Sequence, residues 1–248
     1  MARGYRRTKK IFQPGQPFRL SRSKLEDFTR CPRCFWIDRR QGIPRPSTPP
    51  FTLNSAVDSL LKKEFDQYRA RQEAHPLFQE VGLEAIPFAH PQMDHWRDAL
   101  RGGIEHTLED IGITLSGGVD DVWAKPDGDL LLVDYKATAK DSPVSALDSE
   151  WHEAYKRQIE IYQWLFRRNG FRVSPTAYFL YCTARVGAPR FDRHLEFDLR
   201  LIPHRGDDSW VEDALRRAHA CLSSDTPPPH NGQCEYCLYA LEMRTVRG

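Results

Sequence analysis

Residues 117–140, GGVDDVWAKPDGDLLLVDYKATAK, form the stretch that decides the fold, because they predict a β-hairpin. Residues 119–124 and 130–136 are rich in β-branched and aliphatic side chains, which favour strands. The sequence KPDG between them is typical of a turn, since proline fixes φ at the first corner and glycine tolerates a left-handed backbone. Two antiparallel strands joined by a tight loop are therefore predicted.

The type of turn predicts how the two strands pair. A type I turn closed by a left-handed glycine makes a three-residue loop of residues 126–128. With that loop, Asp120 falls opposite Asp134. A loop of two or four residues would instead make Asp121 the partner, because a shift of one residue turns every side chain to the other face.

Side chains alternate along a strand, so one face of the hairpin collects three ionic groups, Asp120, Asp134 and Lys136. The other face collects Asp121, Val133 and Tyr135. Facing carboxylates repel each other unless a cation lies between them, and oxygen ligands of this kind suit Mg²⁺ or Mn²⁺. The alternative is a solvated strand face on which an Asp–Lys pair contributes little. The hairpin and the helix that follows it favour the metal site.

A long amphipathic helix is predicted over residues 151–168. Its apolar stripe consists of Tyr155, Ile159, Tyr162 and Phe166. Gln158 lies one turn before Tyr162 on the same side of this helix. An amide on a buried face needs hydrogen-bond partners, so Gln158 is either a structural amide or part of a functional site.

Further periodic segments complete an α/β architecture. Strands are predicted over residues 174–182 and 194–202, and a helix over residues 209–222. Another helix is predicted to begin at a cap formed by Asn54 or Ser55, and a fourth to cover residues 93–109. The order of hairpin, helix, strand, strand and helix predicts a mixed β-sheet flanked by helices.

Four of the six cysteines form two C-x-x-C pairs near the ends of the chain: Cys31, Cys34, Cys234 and Cys237. Two such pairs in turn-forming contexts favour one four-thiolate metal site. Disulfides are less favoured in a reducing cytoplasm. Zinc and a [4Fe–4S] cluster both accept four cysteines, so the pattern leaves both open.

Composition and charge limit the possible environments. No apolar run in the 248 residues approaches the length of a membrane span, and the N-terminal sequence MARGYRRTKKIF lacks the apolar core of a secretory signal, which predicts a cytoplasmic protein. Residues 1–40 contain twelve Lys or Arg against three acidic residues. Such an arm either tracks phosphates or is a solubilising tail. We predict a flexible basic tail at residues 1–19 and one domain at 20–248, with a cysteine lobe from about residue 223.

Three motifs, taken in order, resemble those of a known family. They are GVD at residues 118–120, VDYK at 133–136 and QIEIY at 158–162. Their order resembles that of the PD-(D/E)XK nuclease superfamily, above all its RecB-like branch, which includes the CRISPR-associated adaptation exonucleases. The resemblance covers about residues 20–239. It implies a restriction-endonuclease-like mixed sheet flanked by helices, with the cysteine pairs forming a small metal-bound lobe.

The resemblance also implies a role for each site residue. Asp120 and Asp134 would bind Mg²⁺ or Mn²⁺, and the Tyr135 carbonyl would complete the protein ligands. Lys136 would position the attacking water. The family's Gln-x-x-x-Tyr pair, here Gln158 and Tyr162, is associated with organisation of the active site or substrate.

The sequence departs from the family at two metal sites. RecB-like proteins have a glycine four residues before a metal-binding histidine, where this chain has Asn54 and Asp58. Asp58 is either a replacement oxygen ligand or an acid favoured by the helix dipole.

The second departure concerns the cysteines. Relatives that hold a cluster use one upstream cysteine and a downstream C-x2-C-x5-C, which Cys31, Cys234 and Cys237 match, whereas Met243 stands at the last position. Cys34 is an extra upstream thiol that would substitute for the missing ligand. The resemblance therefore favours a [4Fe–4S] cluster over structural zinc.

The leading functional hypothesis is a metal-dependent deoxyribonuclease, an exonuclease acting on single strands or duplex ends of DNA. The alternative is a catalytically inactive nucleic-acid-binding module that keeps the fold, and its motivation is the absence of histidine at Asp58. Against that alternative, a scaffold that only binds has no physical reason to keep facing carboxylates. An iron–sulfur redox protein ranks last, because the sequence contains no recognisable flavin or nicotinamide loop.

Overall fold

The computed structural model describes residues 11–46 and 51–246. The strands are β1 (Phe18–Ser21), β2 (Ile86–Pro87), β3 (Ile104–Leu108), β4 (Ile113–Gly117), β5 (Asp121–Ala124), β6 (Leu130–Lys140), β7 (Thr176–Arg185) and β8 (Phe197–Arg205). The helices are α1 (Arg22–Arg30), α2 (Pro32–Gln41), α3 (Thr52–Arg71), α4 (Pro76–Glu80), α5 (Met93–Arg97), α6 (Glu153–Arg168), α7 (Trp210–Ser223) and α8 (Glu235–Thr245). A 3-10 turn, Glu150–His152, precedes α6. Within the described residues, no helix is both long enough and apolar enough to span a bilayer.

The described residues form two compact units. The cysteine unit combines residues 11–46, Thr107–Leu115 and residues 212–246. The sheet unit combines residues 51–106 and 116–211. Each unit is therefore assembled from segments that are far apart in the sequence.

The sheet unit is built on five strands in the order β2-β5-β6-β7-β8. Strands β6 and β7 are parallel, whereas the other three pairings are antiparallel. Parallel neighbours require a crossover, and α6 provides it. A separate three-stranded sheet has the order β1-β4-β3. The predicted α/β class, with a mixed sheet flanked by helices, is confirmed.

The hairpin has the predicted register. Asp121 pairs with Val133, and the Lys125 N–H donates to the Asp129 carbonyl at 3.0 Å. Gly128 closes the loop with a φ of 85°, a left-handed conformation that glycine adopts without strain. The three-residue loop therefore sets which side chains share a face.

The two faces of the hairpin are covered by different helices. On one face, Phe65 of α3 stacks on Trp123 with ring centroids 5.2 Å apart, and Tyr135 packs in the same core. On the other face, Gln158 of α6 reaches Asp134. Because neighbours in a strand point to opposite faces, Trp123 and Tyr135 pack against α3, whereas Asp134 faces α6.

In the cysteine unit, aromatic rings from distant segments pack together. Phe12 is buried, with its ring centroid 5.4 Å from that of Phe18 and 5.7 Å from that of His219. The sequence predicts an irregular tail through residue 19, whereas β1 begins at Phe18. Residues 1–10 of the predicted tail lie outside the described residues.

Two predictions about helices are wrong. The helix expected over residues 93–109 ends at Arg97, and β3 follows. The backbone leaves the helical conformation at Asp98, whose ψ is 82°, and Gly103 has a φ of 92° in the connection to β3. Asn54 does not cap α3, which begins two residues earlier at Thr52, and its side chain instead donates to the Ala137 carbonyl at 2.9 Å.

Candidate active site and cysteine cluster

Asp120, Asp134 and Lys136 meet on one face of the hairpin. Asp120 stands just before β5, and its Oδ2 accepts a hydrogen bond from the Tyr135 N–H at 2.9 Å. Asp134 is fully buried in β6 and forms an ion pair with Lys136. The pairing of the strands thus brings together the three ionic groups that the sequence placed on one face.

Gln158 connects α6 to this group. Its Nε2 donates to Asp134 Oδ1 at 2.6 Å and to the Tyr162 hydroxyl at 3.1 Å. Tyr162 fits because the neighbouring backbone belongs to Gly117, where a Cβ would stand 2.7 Å from the Tyr162 ring. Gln158 and Tyr162 therefore hold one oxygen of Asp134 in place.

Helix α3 adds Asp58 and Lys62 to the site. The Lys62 Nζ lies 2.9 Å from Asp58 Oδ2 and 3.4 Å from Asp120 Oδ1. Burial, with the negative charge of Asp120, raises the pKa of Asp58 although Lys62 opposes the shift. A positive charge therefore already lies between two carboxylates that repel each other.

Lys136 is a buried cation. Burial disfavours its charge, but the carboxylates of Asp134 and Asp120 outweigh burial and raise its pKa above the usual value. Its Nζ lies 4.4 Å from the centroid of the Tyr155 ring, which also favours the ammonium form. Lys136 is accordingly a fixed hydrogen-bond donor at neutral pH.

Behind the site lies an ion network that sequence reasoning missed. The buried Asp121 carboxylate binds the guanidinium groups of Arg69 and Arg97 and accepts the Tyr135 hydroxyl at 2.7 Å. Arg97 also donates from Nε to the Asp120 carbonyl at 3.1 Å. The predicted register does place Asp121 beside Tyr135, but no local pattern identifies the two arginines.

The four cysteines form a second site, inside the cysteine unit. Cys31 is the N-cap of α2 and Cys34 lies in its first turn, while Cys234 and Cys237 stand in the same positions of α8. The C-x-x-C spacing therefore places each pair at the N-terminus of a helix, where the dipole favours thiolates. All four sulfurs lie within 4.8 Å of one another.

The distances between these sulfurs exclude disulfides. Cys31 and Cys237 are 3.6 Å apart, Cys34 and Cys234 are 3.7 Å apart, and Cys34 and Cys237 are 3.9 Å apart. A disulfide needs about 2.05 Å. Burial raises the pKa of Cys34 to about 12. Burial also opposes ionisation of Cys234, but hydrogen bonds from the Cys237 backbone and neighbouring thiols lower its pKa to about 7.

Comparison with known proteins decides the family. The sequence model of the PD-(D/E)XK nuclease superfamily matches residues 51–241, more than half of the 248-residue chain. The chain belongs to the PD-(D/E)XK nuclease superfamily. Among curated proteins, no match is found. A solved structure described as "Crystal structure of SSO0001" aligns with 13% identity and a TM-score of 0.33, covering 90% of this chain and 84% of that chain, a likeness too low to support a conclusion.

The candidate site of this PD-(D/E)XK protein contains carboxylates, the type of oxygen donor that hard divalent cations prefer. Asp58, Asp120 and Asp134 offer carboxylates, and the Lys62 ammonium shows that a cation is accommodated between the first two. Within the described residues, the four cysteines are the one group of three or more His, Cys, Asp or Glu side chains whose ligand atoms all lie within 4.8 Å, so Asp58, Asp120 and Asp134 do not converge that closely. Binding of a divalent ion would therefore require Lys62 to move away from the carboxylates.

The match to the superfamily includes only part of the cysteine cluster. Cys234 and Cys237 fall within residues 51–241, whereas Cys31 and Cys34 precede them. Among the other cysteines, Cys182 is buried in the core of the sheet unit. The family match therefore does not include the whole four-cysteine cluster. The structure of this PD-(D/E)XK chain is what places all four sulfurs together.

Proposed function

We propose that this protein is a metal-dependent nuclease that hydrolyses phosphodiester bonds of DNA, in the manner of the RecB-like branch. The observation that supports it most is the convergence of Asp120, Asp134 and Lys136 on one face of the hairpin. A phosphodiester resists attack because it is anionic, and this site pairs a buried ammonium with carboxylates that favour a cation. Superfamily membership supports the same class of reaction.

Each residue has a role in the proposed reaction. Asp58, Asp120 and Asp134, with the Tyr135 carbonyl, would hold one or two Mg²⁺ or Mn²⁺ ions, which offset the charge of the phosphate. Lys136 donates a hydrogen bond to the attacking water and stabilises the negative charge that develops on the phosphate.

Gln158 and Tyr162 are positioning residues that hold the Asp134 carboxylate in place. Gln158 restrains the orientation of Asp134 through the 2.6 Å hydrogen bond from its Nε2. Tyr162 in turn accepts from the same amide at 3.1 Å. Preorganised carboxylates matter because an ion and a water must reach the phosphate with little rearrangement.

Digestion of end-labelled DNA tests the proposal. Wild-type protein with Mn²⁺ or Mg²⁺ is expected to shorten single-stranded or duplex substrates, whereas Lys136→Ala loses at least a hundredfold in rate because a charged donor to the transition state is removed. Lys125→Ala is the matched control, since Lys125 lies in the hairpin turn and pairs with Asp127 at 2.7 Å.

The label pattern then separates an exonuclease from an endonuclease. Progressive loss of nucleotides from one end supports the exonuclease and gives its polarity, whereas internal cuts in a circular substrate contradict it. A folded wild type that cuts nothing under these conditions overturns the nuclease.

The placement of Lys62 between Asp58 and Asp120 favours one second candidate, an inactive nucleic-acid-binding module. In that case the ammonium permanently replaces the metal ion. Titration with Mn²⁺ distinguishes the two candidates: heat of binding that disappears in Asp120→Asn and Asp134→Asn supports the nuclease, and absence of binding to the wild type supports the module.

For the cysteine cluster, we infer a single tetrahedral zinc ion in place of the iron–sulfur cluster that the family resemblance favours. Four thiolates about 2.3 Å from one zinc stand about 3.8 Å apart. Three of the six sulfur–sulfur distances, 3.6, 3.7 and 3.9 Å, match that spacing, and the other three are no longer than 4.8 Å. A [4Fe–4S] cluster binds each thiolate to a different iron and must fit between them, so it needs wider separations.

The surroundings of the cysteines also suit a four-thiolate zinc site, which carries excess negative charge. Burial disfavours the charge of the Arg45 guanidinium, but a side-chain hydrogen bond with Cys34 and the negative charge of Asp27 outweigh burial and raise the pKa of Arg45. Its position is fixed by Asp27 at 3.1 Å and by the Tyr236 ring at 5.2 Å. A charged residue beside the ligands stabilises them as thiolates.

A further inference from the structure

Trp151 is an aromatic side chain of the sheet unit that the proposed hydrolysis does not use. It is the most exposed of the six tryptophans, all of which lie within the described residues, with 48% of its surface open to solvent. An indole exposed to water does not gain the favourable free energy that burial of so large an apolar ring would contribute. Its position in the Glu150–His152 turn places it at the start of α6.

Trp151 belongs to a row in which two neighbouring rings lie between two ammonium groups, and the row starts at the candidate active site. The Lys136 Nζ lies 4.4 Å from the centroid of the Tyr155 ring. Tyr155 meets Trp151 edge to face with centroids 5.4 Å apart. The Lys140 Nζ lies 5.7 Å from the centroid of the Trp151 ring. We call Lys136, Tyr155, Trp151 and Lys140 the aromatic ladder.

Strand geometry explains why the ladder extends from the site. Asp134, Lys136 and Lys140 are separated by even numbers of residues in β6, so they lie on the same face of the sheet, the one that α6 covers. The candidate site occupies one end of this row and Lys140 the other. A nucleic-acid backbone that is bound at Lys136 and follows this row toward Lys140 would therefore pass Trp151.

We propose that Trp151 stacks on an unpaired base of a single-stranded nucleic acid while Lys140 binds a neighbouring phosphate. This inference rests on the proposed nuclease function and names its substrate as a single strand or an unpaired end. Aromatic rings next to cationic groups are the general means of binding single strands, because every base offers a π-face. Bases inside a duplex already stack on each other, so an intact duplex leaves Trp151 without a partner.

Fluorescence anisotropy of a labelled 15-nucleotide oligothymidine, in buffer without added Mg²⁺ or Mn²⁺, tests the stacking. Trp151→Ala is expected to weaken binding about tenfold or more, and Trp151→Phe to restore most of it. An oligonucleotide of the same length that consists of abasic sites shows how much the bases contribute to the affinity. Wild type is expected to bind it more weakly than oligothymidine, whereas Trp151→Ala binds both alike.

Two further variants complete the design. Lys140→Gln is expected to reduce the slope of log affinity against log salt by about 0.7, as for one lost phosphate contact on a single strand. Phe191→Ala is the matched control, because Phe191 is an aromatic residue with 70% exposure that lies outside the ladder. It is expected to bind like the wild type.

Equal affinity of wild type and Trp151→Ala for oligothymidine overturns the stacking, as does an equal loss for oligothymidine and abasic DNA, which would indicate a structural role. If wild type digests DNA yet shows neither effect, the nuclease stands and the ladder fails. If wild type neither binds nor digests DNA, both proposals fail.

Discussion

Asp120 and Asp121 are adjacent in sequence and have opposite environments. The Asp120 side chain keeps 23% of its surface exposed and faces Lys62, whereas Asp121 is fully buried between two arginines. Alternation along the strand turns one carboxylate toward the site and the other toward the core. That division was predictable from the loop length alone. The identity of the arginine partners was not, because they come from α3 and α5.

Asp121→Asn is expected to reduce the free energy of unfolding by about 3 kcal/mol. The amide keeps the shape of the side chain but leaves the positive charges of Arg69 and Arg97 without their buried counter-ion. Urea denaturation measures the change. Asp127→Asn, on the exposed hairpin turn, serves as the control and should alter stability by less than about 0.5 kcal/mol. Equal effects of the two substitutions would contradict the role of the network.

Lys62→Ala is expected to tighten Mn²⁺ binding about tenfold. Its ammonium competes with a divalent ion for Asp58 and Asp120, and a like charge a few ångström away costs on the order of 1 to 4 kcal/mol. Isothermal titration calorimetry measures the affinity. Lys63→Ala, on the exposed side of the same helix, should leave it unchanged. Weaker binding by Lys62→Ala would mean that Lys62 helps the site instead of blocking it.

At the scale of elements, local chemistry made the hairpin predictable. Pro126, Asp127 and Gly128 specify the loop, and the loop specifies the register, so no distant residue is needed. The helix expected over residues 93–109 failed for the opposite reason. Gly102 and Gly103 interrupt that segment, and a Cβ at Gly102 would stand 2.5 Å from the His95 carbonyl. That close approach depends on tertiary structure and leaves no periodic pattern in the sequence.

The four cysteines at the N-termini of α2 and α8 lead to a prediction of which metal the protein contains. Purified protein is expected to contain one zinc per chain by mass spectrometry, with no acid-labile sulfide and no visible absorption, because its sulfurs are spaced for a single ion. Cys31→Ser and Cys237→Ser should each lose the zinc.

Cys221→Ser is the matched control for these variants. Cys221 lies in α7, donates to the Pro32 carbonyl at 3.8 Å and is not one of the four clustered cysteines. It should retain the metal. Brown protein with iron and sulfide in equal amounts would contradict zinc and restore the iron–sulfur cluster.

At the scale of the whole molecule, the class of fold and a C-terminal cysteine lobe were predictable from the sequence, but the assembly of two compact units from separate segments was not. The cysteine unit draws on three separate segments, 11–46, Thr107–Leu115 and 212–246. One transition between the units falls in residues 42–50, a run with four prolines, whereas the transition after Val211 falls inside α7. Division of this kind arises from contacts between distant segments, which a pattern of neighbouring residues does not encode. The cysteine spacing was the one long-range relation that could be read in advance.

The separation of the two cysteine pairs also imposes an order of events during synthesis. Cys34 and Cys234, 3.7 Å apart after folding, are 200 residues apart along the chain. A ribosome that adds about 5 to 20 residues per second needs roughly 10 to 40 s to cover that distance. Throughout this interval the first two thiols are already part of the chain and the last two do not yet exist. Assembly of the four-cysteine cluster is therefore a late event in the life of each new chain.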